Sequence, residues 1–528
     1  MPSSLSPGVV LARGSAVSGI WPPQPCQDRQ RSAVGARSCE KIVDSCHEAG
    51  WGIPTPRILV VLLLCASRVA AQSAPVSPDR PWQFPQERQI ESDAENLRNY
   101  RFSIDPGKTY SLAELIDLAE SHNPQTRLAW ERARAQVAAL GIARSELYPT
   151  LAAVALSHLE RAEILFGTTF RSQTTQVFEV ALDLNYTVFD FGARSGRIAA
   201  ARVEVLAADF GFNDAHRNVI YQVEQAYYRL LNASGQEDAA RASLSNAQAV
   251  QQAAEDRLQH GLATLPDVLE ARSATAQAEY ELQAVLGAEE IARGDLATTL
   301  GTSPTTTTHV QPLRQIPIPE SIADTVDKAI QRAFQERPDL MQQVAEIRSA
   351  NARVKEAHAA YYPTLNLNTT PNTQLLYGSQ QALPWIHTAG FYGGLTATLN
   401  WTVFDGGARR SNLARAEADV LAAQASANLT RDQVADEVWT AYSNLKTAFR
   451  QRQAAIALLE AARQSYAAAL ESYNYGVRNL LDVTAAQRTL AQAQSTDVLA
   501  RTQVLNALAD LAFRTGDSIR AGARKPGP

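Results

Sequence analysis

The side chains able to do chemistry are few and scattered. Six of the eight histidines, His122, His158, His216, His260, His358 and His387, stand without ligand spacing between them, so lone surface or lumen histidines fit better than a metal site. No Walker loop, Gly-x-Ser-x-Gly elbow or His-Glu-x-x-His helix occurs. That excludes the usual signatures of nucleotide hydrolysis, acyl transfer and zinc proteolysis; no cofactor or metal is expected, and any energy would have to come from another protein. What does stand out is a pair of carboxylates. Gly261-x5-Asp267-Val268 returns as Gly476-x5-Asp482-Val483. An aspartate near a helix start is favoured by the helix dipole whatever its function, so a solvated polar residue is the bland reading of each alone. Its recurrence at one position of two turns argues for more.

The same holds for a second pair of motifs. Asn185-Tyr186-Thr187-Val188-Phe189-Asp190-Phe191-Gly192-Ala193-Arg194 returns as Asn400-Trp401-Thr402-Val403-Phe404-Asp405-Gly406-Gly407-Ala408-Arg409, about 215 residues on. Tyr148-Pro149-Thr150-Leu151 recurs as Tyr362-Pro363-Thr364-Leu365, Asn123-Pro124 as Arg337-Pro338, and Leu300-Gly301 as Thr515-Gly516. Ordered matches at a nearly constant offset mean duplication. The 528 residues are therefore one object in two halves rather than several unrelated domains. A net charge of -5 offers no basic surface for nucleic acid.

Two elements must position each pair. Between Phe178 and Val188 apolar Phe178, Val180, Leu182, Leu184, Tyr186 and Val188 alternate with polar or small residues, and Leu395 to Val403 repeats the pattern. Period-two patterning of this kind gives a sheet with one dry and one wet face, which suits a soluble sandwich or an outer-membrane barrel. Fainter strands are expected at Leu151–Leu159 and Leu365–Thr369, with a long loop from Pro371 to Gly390 holding Trp385 and His387. After each Asp-x-Gly corner no proline appears for about 65 residues, which at 1.5 Å per residue makes helices of roughly 100 Å. Their seams, Val219, Val223, Ala226, Leu230, Ala233 and Val434, Val438, Ala441, Leu445, Ala448, follow a 4-3-4-3 spacing. Gly261 and Gly476 break the long helices, and second helices from Leu265 to Leu300 and Leu480 to Arg514 fold back on them. Ser111-Leu112-Ala113-Glu114 is a capping box opening a short helix to about His122.

The N-terminus reads separately. Arg57, the apolar run Ile58 to Ala66 and Val69-Ala70-Ala71 make a secretory signal. Cleavage is expected after Ala71, and translation is expected to start downstream of Met1, near Val43. All four cysteines, Cys26, Cys39, Cys46 and Cys65, lie in this leader, so the body holds no disulfide. Cys65 follows Leu64, where lipid-attachment sites carry a small residue. The resulting layout is leader and signal 1–71, proline-rich linker 72–109, first repeat 110–300, linker 301–320, second repeat 321–516 and an unstructured tail 517–528.

On these motifs the chain, from about Tyr110 to Gly516, resembles the TolC-like outer-membrane efflux channel family. The resemblance implies a mainly α fold with a membrane β-barrel, in which duplicated strand-strand-long-helix halves form a trimeric α/β barrel-tunnel. Four strands from each of three subunits would close one barrel, and the long helices would extend it through the periplasm. It implies a passive exit duct of a tripartite efflux or secretion system, with homotrimer, periplasmic adaptor, inner-membrane pump and outer-membrane lipid as partners. Carried over by position, Asp482 is a constriction carboxylate of the periplasmic gate, Arg478 a link residue, and Asp267 the equivalent in the first half. The family's second carboxylate falls on Ala485 here, and Glu270, one turn after Asp267, is the candidate for that charge. The turns at Gly261 and Gly476 are the expected docking surface for an adaptor. A periplasmic adaptor or a structural coiled-coil protein of the envelope would explain the helices. Neither explains four alternating strands with twin corners at Asp190, Gly192, Asp405 and Gly407.

Overall fold

The computed structural model describes residues 87–98, 102, 104–319, 325–380 and 383–517. The leader, the signal segment and all four cysteines lie outside them. The chain divides into two units, Met1–Leu97 and Arg98–Pro528. The first contributes helix α1, Glu87–Arg98. Within the expected linker over 72–109 no proline falls between Pro85 and Pro106, and the helix forms in that proline-free run.

The second unit runs β1 (Thr109–Tyr110), α2 (Leu112–His122), α3 (Pro124–Ser145), β2 (Thr150–Phe166), β3 (Thr169–Phe189), α4 (Ala193–Gln259) and α5 (Leu265–Thr299). After β4 (His309–Val310) it runs α6 (Val326–Glu336), α7 (Pro338–Ala359), β5 (Thr364–Thr369), β6 (Asn372–Gln380), β7 (Ile386–Tyr392), β8 (Leu395–Asn400), α8 (Ala408–Asn474) and α9 (Leu480–Thr515). Side-chain capping accounts for the first two helix starts of this unit. Ser111 and Glu114 close the expected box on α2, and the Asn123 side chain accepts the Gln125 amide at α3. Both long helices have 67 residues. Their ten seam residues are all buried, at most 8% exposed. Alanines at four of these ten positions let helix backbones come close. Backbones come close at Gly196, where an added Cβ would lie 2.9 Å from the backbone nitrogen of Glu356 on α7.

The sheet has four lanes. β2 pairs with β3 along its whole length, from Thr150↔Asn185 to Phe166↔Thr169. On the other side of β3, β5 and β6 lie end to end, and β8 and β7 continue outward from them, all antiparallel. Three expectations need correcting here. The supposed loop from Pro371 to Gly390 contains β6 and most of β7; the ladder of β6 to β3 is non-local, β7 pairs back on β6, and Leu375-Leu376 and Gly378 hide any alternation. Pro371 is tolerated because it sits in the break between β5 and β6, where its carbonyl accepts the Leu182 amide. The hairpin β2–β3 is longer at its far end than the faint alternation suggests. Conversely, β8 stops at Asn400 rather than Val403: its only partner there, β5, begins opposite it at Thr364.

The segment between the halves is docked rather than a bare tether. His309–Val310 pairs in parallel with Thr109–Tyr110, and Leu313 is buried in the main core beside α2 and α4. At the far end, Asp517 accepts Arg332 at 3.0 Å and so holds the first residue of the expected tail. Among the described residues no helix is long and apolar enough to cross a membrane.

Candidate functional site

At each strand-to-helix corner one aspartate organises the turn. Asp190 accepts the Gly192 amide at 3.3 Å, the Arg194 amide at 2.8 Å and the Arg194 guanidinium at 3.0 Å. Asp405 accepts the Gly407 amide at 3.1 Å, the Arg409 amide at 2.9 Å and the Arg409 guanidinium at 2.8 Å. Each arginine also reaches the carbonyl two residues before its aspartate, Val188 or Val403. The carboxylate thus satisfies amides that a helix start leaves orphaned and carries an internal counter-ion. Gly192 and Gly407 have φ of 99° and 92°, which no L side chain adopts freely. The halves differ between them: Gly406 has φ 65°, while its counterpart Phe191 is held at φ 50°. Phe191 stacks on Tyr362 at 4.9 Å and meets Phe189 edge-on at 4.6 Å, contacts that offset the backbone strain.

Above the corners the sheet has two unlike faces. Register puts Phe178, Val180 and Leu182 of β3 on one face with Leu367, Leu375, Ala397 and Leu399, and several of these are largely exposed. The opposite face carries Glu179, Asp183, Asn185 and Thr187. Asn372 donates to Glu179 at 2.8 Å, and Thr187 donates to Asn366 at 2.9 Å. A hollow of about 580 Å³ at its foot is lined by Asn185, Asn366, Asn368, Asn400, Thr187 and Thr398, among others. A bulge at Val188 turns Phe189 to the Leu365 side.

At the opposite end of the helices the two turns pack together. Val250, Ala254, Val268 and Ala271 from one hairpin share a cluster with Ala469, Tyr473, Leu480 and Val483 from the other. Gly261 and Gly476 turn the chain with φ of 72° and 77°. The candidate charges differ in their surroundings. Asp267 is tied down: the Thr264 hydroxyl at 2.7 Å and amide at 2.8 Å hold its carboxyl below the usual range. Glu270 pairs with Arg488 at 3.3 Å, linking α5 to α9. Asp482 and Arg478 are exposed, and among the described residues their side chains make no hydrogen bond or ion pair, with each other or with anything else. The Asp482 amide donates to Asn479, which caps α9. Sequence reasoning missed Arg257, which donates to the Tyr473 carbonyl at 2.5 Å and lies over its ring at 4.5 Å. Its duplicate position is Ser472, so the repeat carries no signal for it.

Midway along the helices lies a second feature that the motifs did not reveal. Arg217, 2% exposed, donates to Asp214 at 2.6 Å and to the Phe513 carbonyl at 3.2 Å, and lies 3.8 Å from Asp339. Arg337 joins Asp339 and Glu437, each at 2.6 Å, and Arg514 bridges Glu437 at 3.0 Å and Asp510 at 3.3 Å. In the first half Asn123 donates to the Thr299 carbonyl; its counterpart Arg337 makes the equivalent contact to the Arg514 carbonyl and then reaches these carboxylates. Nearby on α4, burial pushes the Glu224 carboxyl up to about 7, and its Oε2 has no hydrogen-bond partner among the described residues. No group of side chains there could hold a metal.

Duplicated corners, a two-faced sheet and paired hairpins are matched as a whole by one family model. That model, the outer membrane efflux protein, covers residues 115–302 and 329–517. The chain belongs to the outer membrane efflux protein family. Within it, the chain is 29% identical over 403 residues to Protein CyaE of Bordetella pertussis, covering 75% of this chain and 81% of that one. It is 27% identical over 412 residues to Outer membrane protein OprJ of Pseudomonas aeruginosa, covering 76% and 82%. A solved membrane protein from Pseudomonas aeruginosa matches with a TM-score of 0.68 at 26% identity, over 77% of this chain and 93% of that one. The outer membrane protein VceC of Vibrio cholerae, at 20% identity and TM-score 0.64 over 77% and 96%, shares the fold. This member of the family is mainly helical, with one large antiparallel sheet and a two-stranded parallel pair among the described residues, and its location is the outer membrane. Its relatives are efflux channels rather than enzymes.

Proposed function

We propose that three copies of this chain close a 12-stranded barrel and a continuous helical tunnel, serving as the passive exit duct of a tripartite efflux or secretion system. One observation carries this reading. The sheet has four lanes, its outer lanes β2 and β7/β8 have no partner on their far side among the described residues, and it is dry on one face and wet on the other. Open edges are not tolerated in lipid, so such a sheet closes only with other copies. The apolar face then meets lipid and the Asn/Thr face lines a wet lumen. The roughly 100 Å helices extend through the periplasm. At their tips Asp482 and Arg478 are exposed, with no side-chain partner among the described residues. This supports contacts with a neighbouring copy at a gate, with Asp482 supplying the constriction charge. Asp267 and Glu270 are already engaged and act as braces of the tip. A periplasmic adaptor would dock around Gly261 and Gly476 and connect to a proton-driven or ATP-driven inner-membrane pump.

Planar-bilayer recordings of the purified protein test the proposal. Small, cation-preferring steps that grow or lose selectivity in Asp482→Ala and Arg478→Ser support a trimeric channel gated at the tip. Conductance indifferent to both substitutions removes the gate from these residues. Folded, membrane-inserted protein without conductance overturns the channel.

A further inference from the structure

The lower rim of the sheet carries an unusual concentration of exposed rings. Phe189 is 52% exposed, Trp401 60% and Phe404 85%; Phe191 and Tyr362 are 45% exposed even while stacked on each other. These residues lie where β3 and β8 end and β2 and β5 begin, at one end of the sheet. They continue its apolar face, since Phe189 shares the register of Leu365. Trp and Tyr rings at such a level mark the boundary between acyl chains and headgroups.

The charge at this rim runs against that of the chain. Residues 144–148, 190–197, 355–362 and 405–410 hold six arginines and lysines against four carboxylates, two positive charges in excess, within a chain of net charge -5. They form one belt. Arg197 bridges Glu146 at 2.5 Å and Glu356 at 3.1 Å, and Trp401 donates to the Tyr361 carbonyl at 3.2 Å. All four carboxylates are spent: Asp190 on Arg194, Asp405 on Arg409, and Glu146 and Glu356 on Arg197. The remaining cations, Arg144, Lys355 and Arg410, are exposed and have no side-chain partner among the described residues. Exposed cations beside an aromatic collar, with every local carboxylate neutralised, have one complementary ligand in a bilayer. It is an anionic headgroup phosphate.

We propose that this rim binds anionic phospholipid headgroups, with Arg144, Lys355 and Arg410 as the phosphate ligands and the rings seating the glycerol backbone. The proposal rests on the reading that the apolar face of the sheet meets lipid. The test reconstitutes the full chain in vesicles containing brominated phosphatidylglycerol or brominated phosphatidylcholine and follows tryptophan quenching; the signal lost in Trp401→Phe isolates the collar. Phosphatidylglycerol should win by roughly fivefold at 0.15 M salt, on the scale of one surface cation's attraction, and the advantage should shrink in 1 M salt. The triple variant Arg144→Gln/Lys355→Gln/Arg410→Gln should bring the ratio close to one. The charge-conserving Arg144→Lys/Lys355→Arg/Arg410→Lys should keep it, which separates charge from misfolding. Equal quenching of wild type by both lipids overturns the proposal alone, as does a preference that survives the glutamine variant. Absence of quenching by either lipid overturns the lipid-facing sheet as well.

Discussion

Replacing Arg217 by Met should be among the most damaging single changes away from the sheet and tips. Arg217 is 2% exposed, and its guanidinium holds Asp214 at 2.6 Å, the Phe513 carbonyl at 3.2 Å and the Phe513 ring at 4.6 Å. Removing one partner of a buried charge network costs about 3–5 kcal/mol, mostly by stranding the opposite charge. Here the stranded carboxylates are not fully enclosed, since the side chains of Asp214 and Asp339 are 26% and 29% exposed. Arg217 Nε is itself buried without a hydrogen-bond partner. Both facts place the loss at the lower end, about 3 kcal/mol. If the contact is absent from the unfolding transition state, that is roughly 150-fold faster unfolding. The assay is the rate of loss of helical circular dichroism at fixed temperature, using the full chain in detergent. Arg229→Met is the control, because Arg229 is 60% exposed and its 3.4 Å pair with Asp295 should contribute less than about 1 kcal/mol. Adding Asp214→Asn to Arg217→Met should recover part of the loss, since the amide keeps its place without the orphaned charge. Arg217→Met unfolding within threefold of Arg229→Met would refute the account of this network.

Two further outcomes follow from the same helices. Glu224 has a folded pKa raised to about 7, so its ionisation opposes folding: the stabilising state is the protonated one, and stability falls as pH rises from the usual carboxylate range, near 4.3, towards 7. Glu224→Gln should therefore raise the thermal midpoint at pH 8 and leave it nearly unchanged at pH 4; an equal shift at both would remove the cause. Gly196→Ala should destabilise by roughly 1–3 kcal/mol, because the new methyl meets the α7 backbone, whereas Gly141→Ala has no atom within 4 Å and should gain up to about 1 kcal/mol, both read by thermal unfolding.

Features that repeat in the chain were legible in it. The seam residues, the corners at Asp190 and Asp405 and the turns at Gly261 and Gly476 each state their role twice, and local periodicity fixes the helices. Features set by contacts between distant segments, without a repeat to flag them, were not. Strand β6 exists because β3 offers a ladder some 200 residues away, β7 pairs in turn on β6, and no local alternation announces them. Nothing in the motifs singles out Arg217, and Arg337 stands only as the counterpart of Asn123; the packing of α4, α7, α8 and α9 brings their carboxylates together. At the tip, the repeat picked out Asp267 and Asp482 as equivalents, yet their environments diverge because Thr264 offers a hydroxyl and an amide to one carboxylate while the other has neither.

The equal length of the two long helices has a bearing on how this chain can change. Each has 67 residues, and their far ends are packed into a single cluster while their near ends are fixed by matching corners. They behave as two rulers cut to one mark. Four residues inserted into one alone would displace its turn by about 6 Å and rotate the seam, tearing Val268 and Ala271 from Tyr473 and Val483. Insertions and deletions are therefore tolerable only in step, one in each half, so that the duplication continues to be copied in length long after the residues themselves have drifted apart.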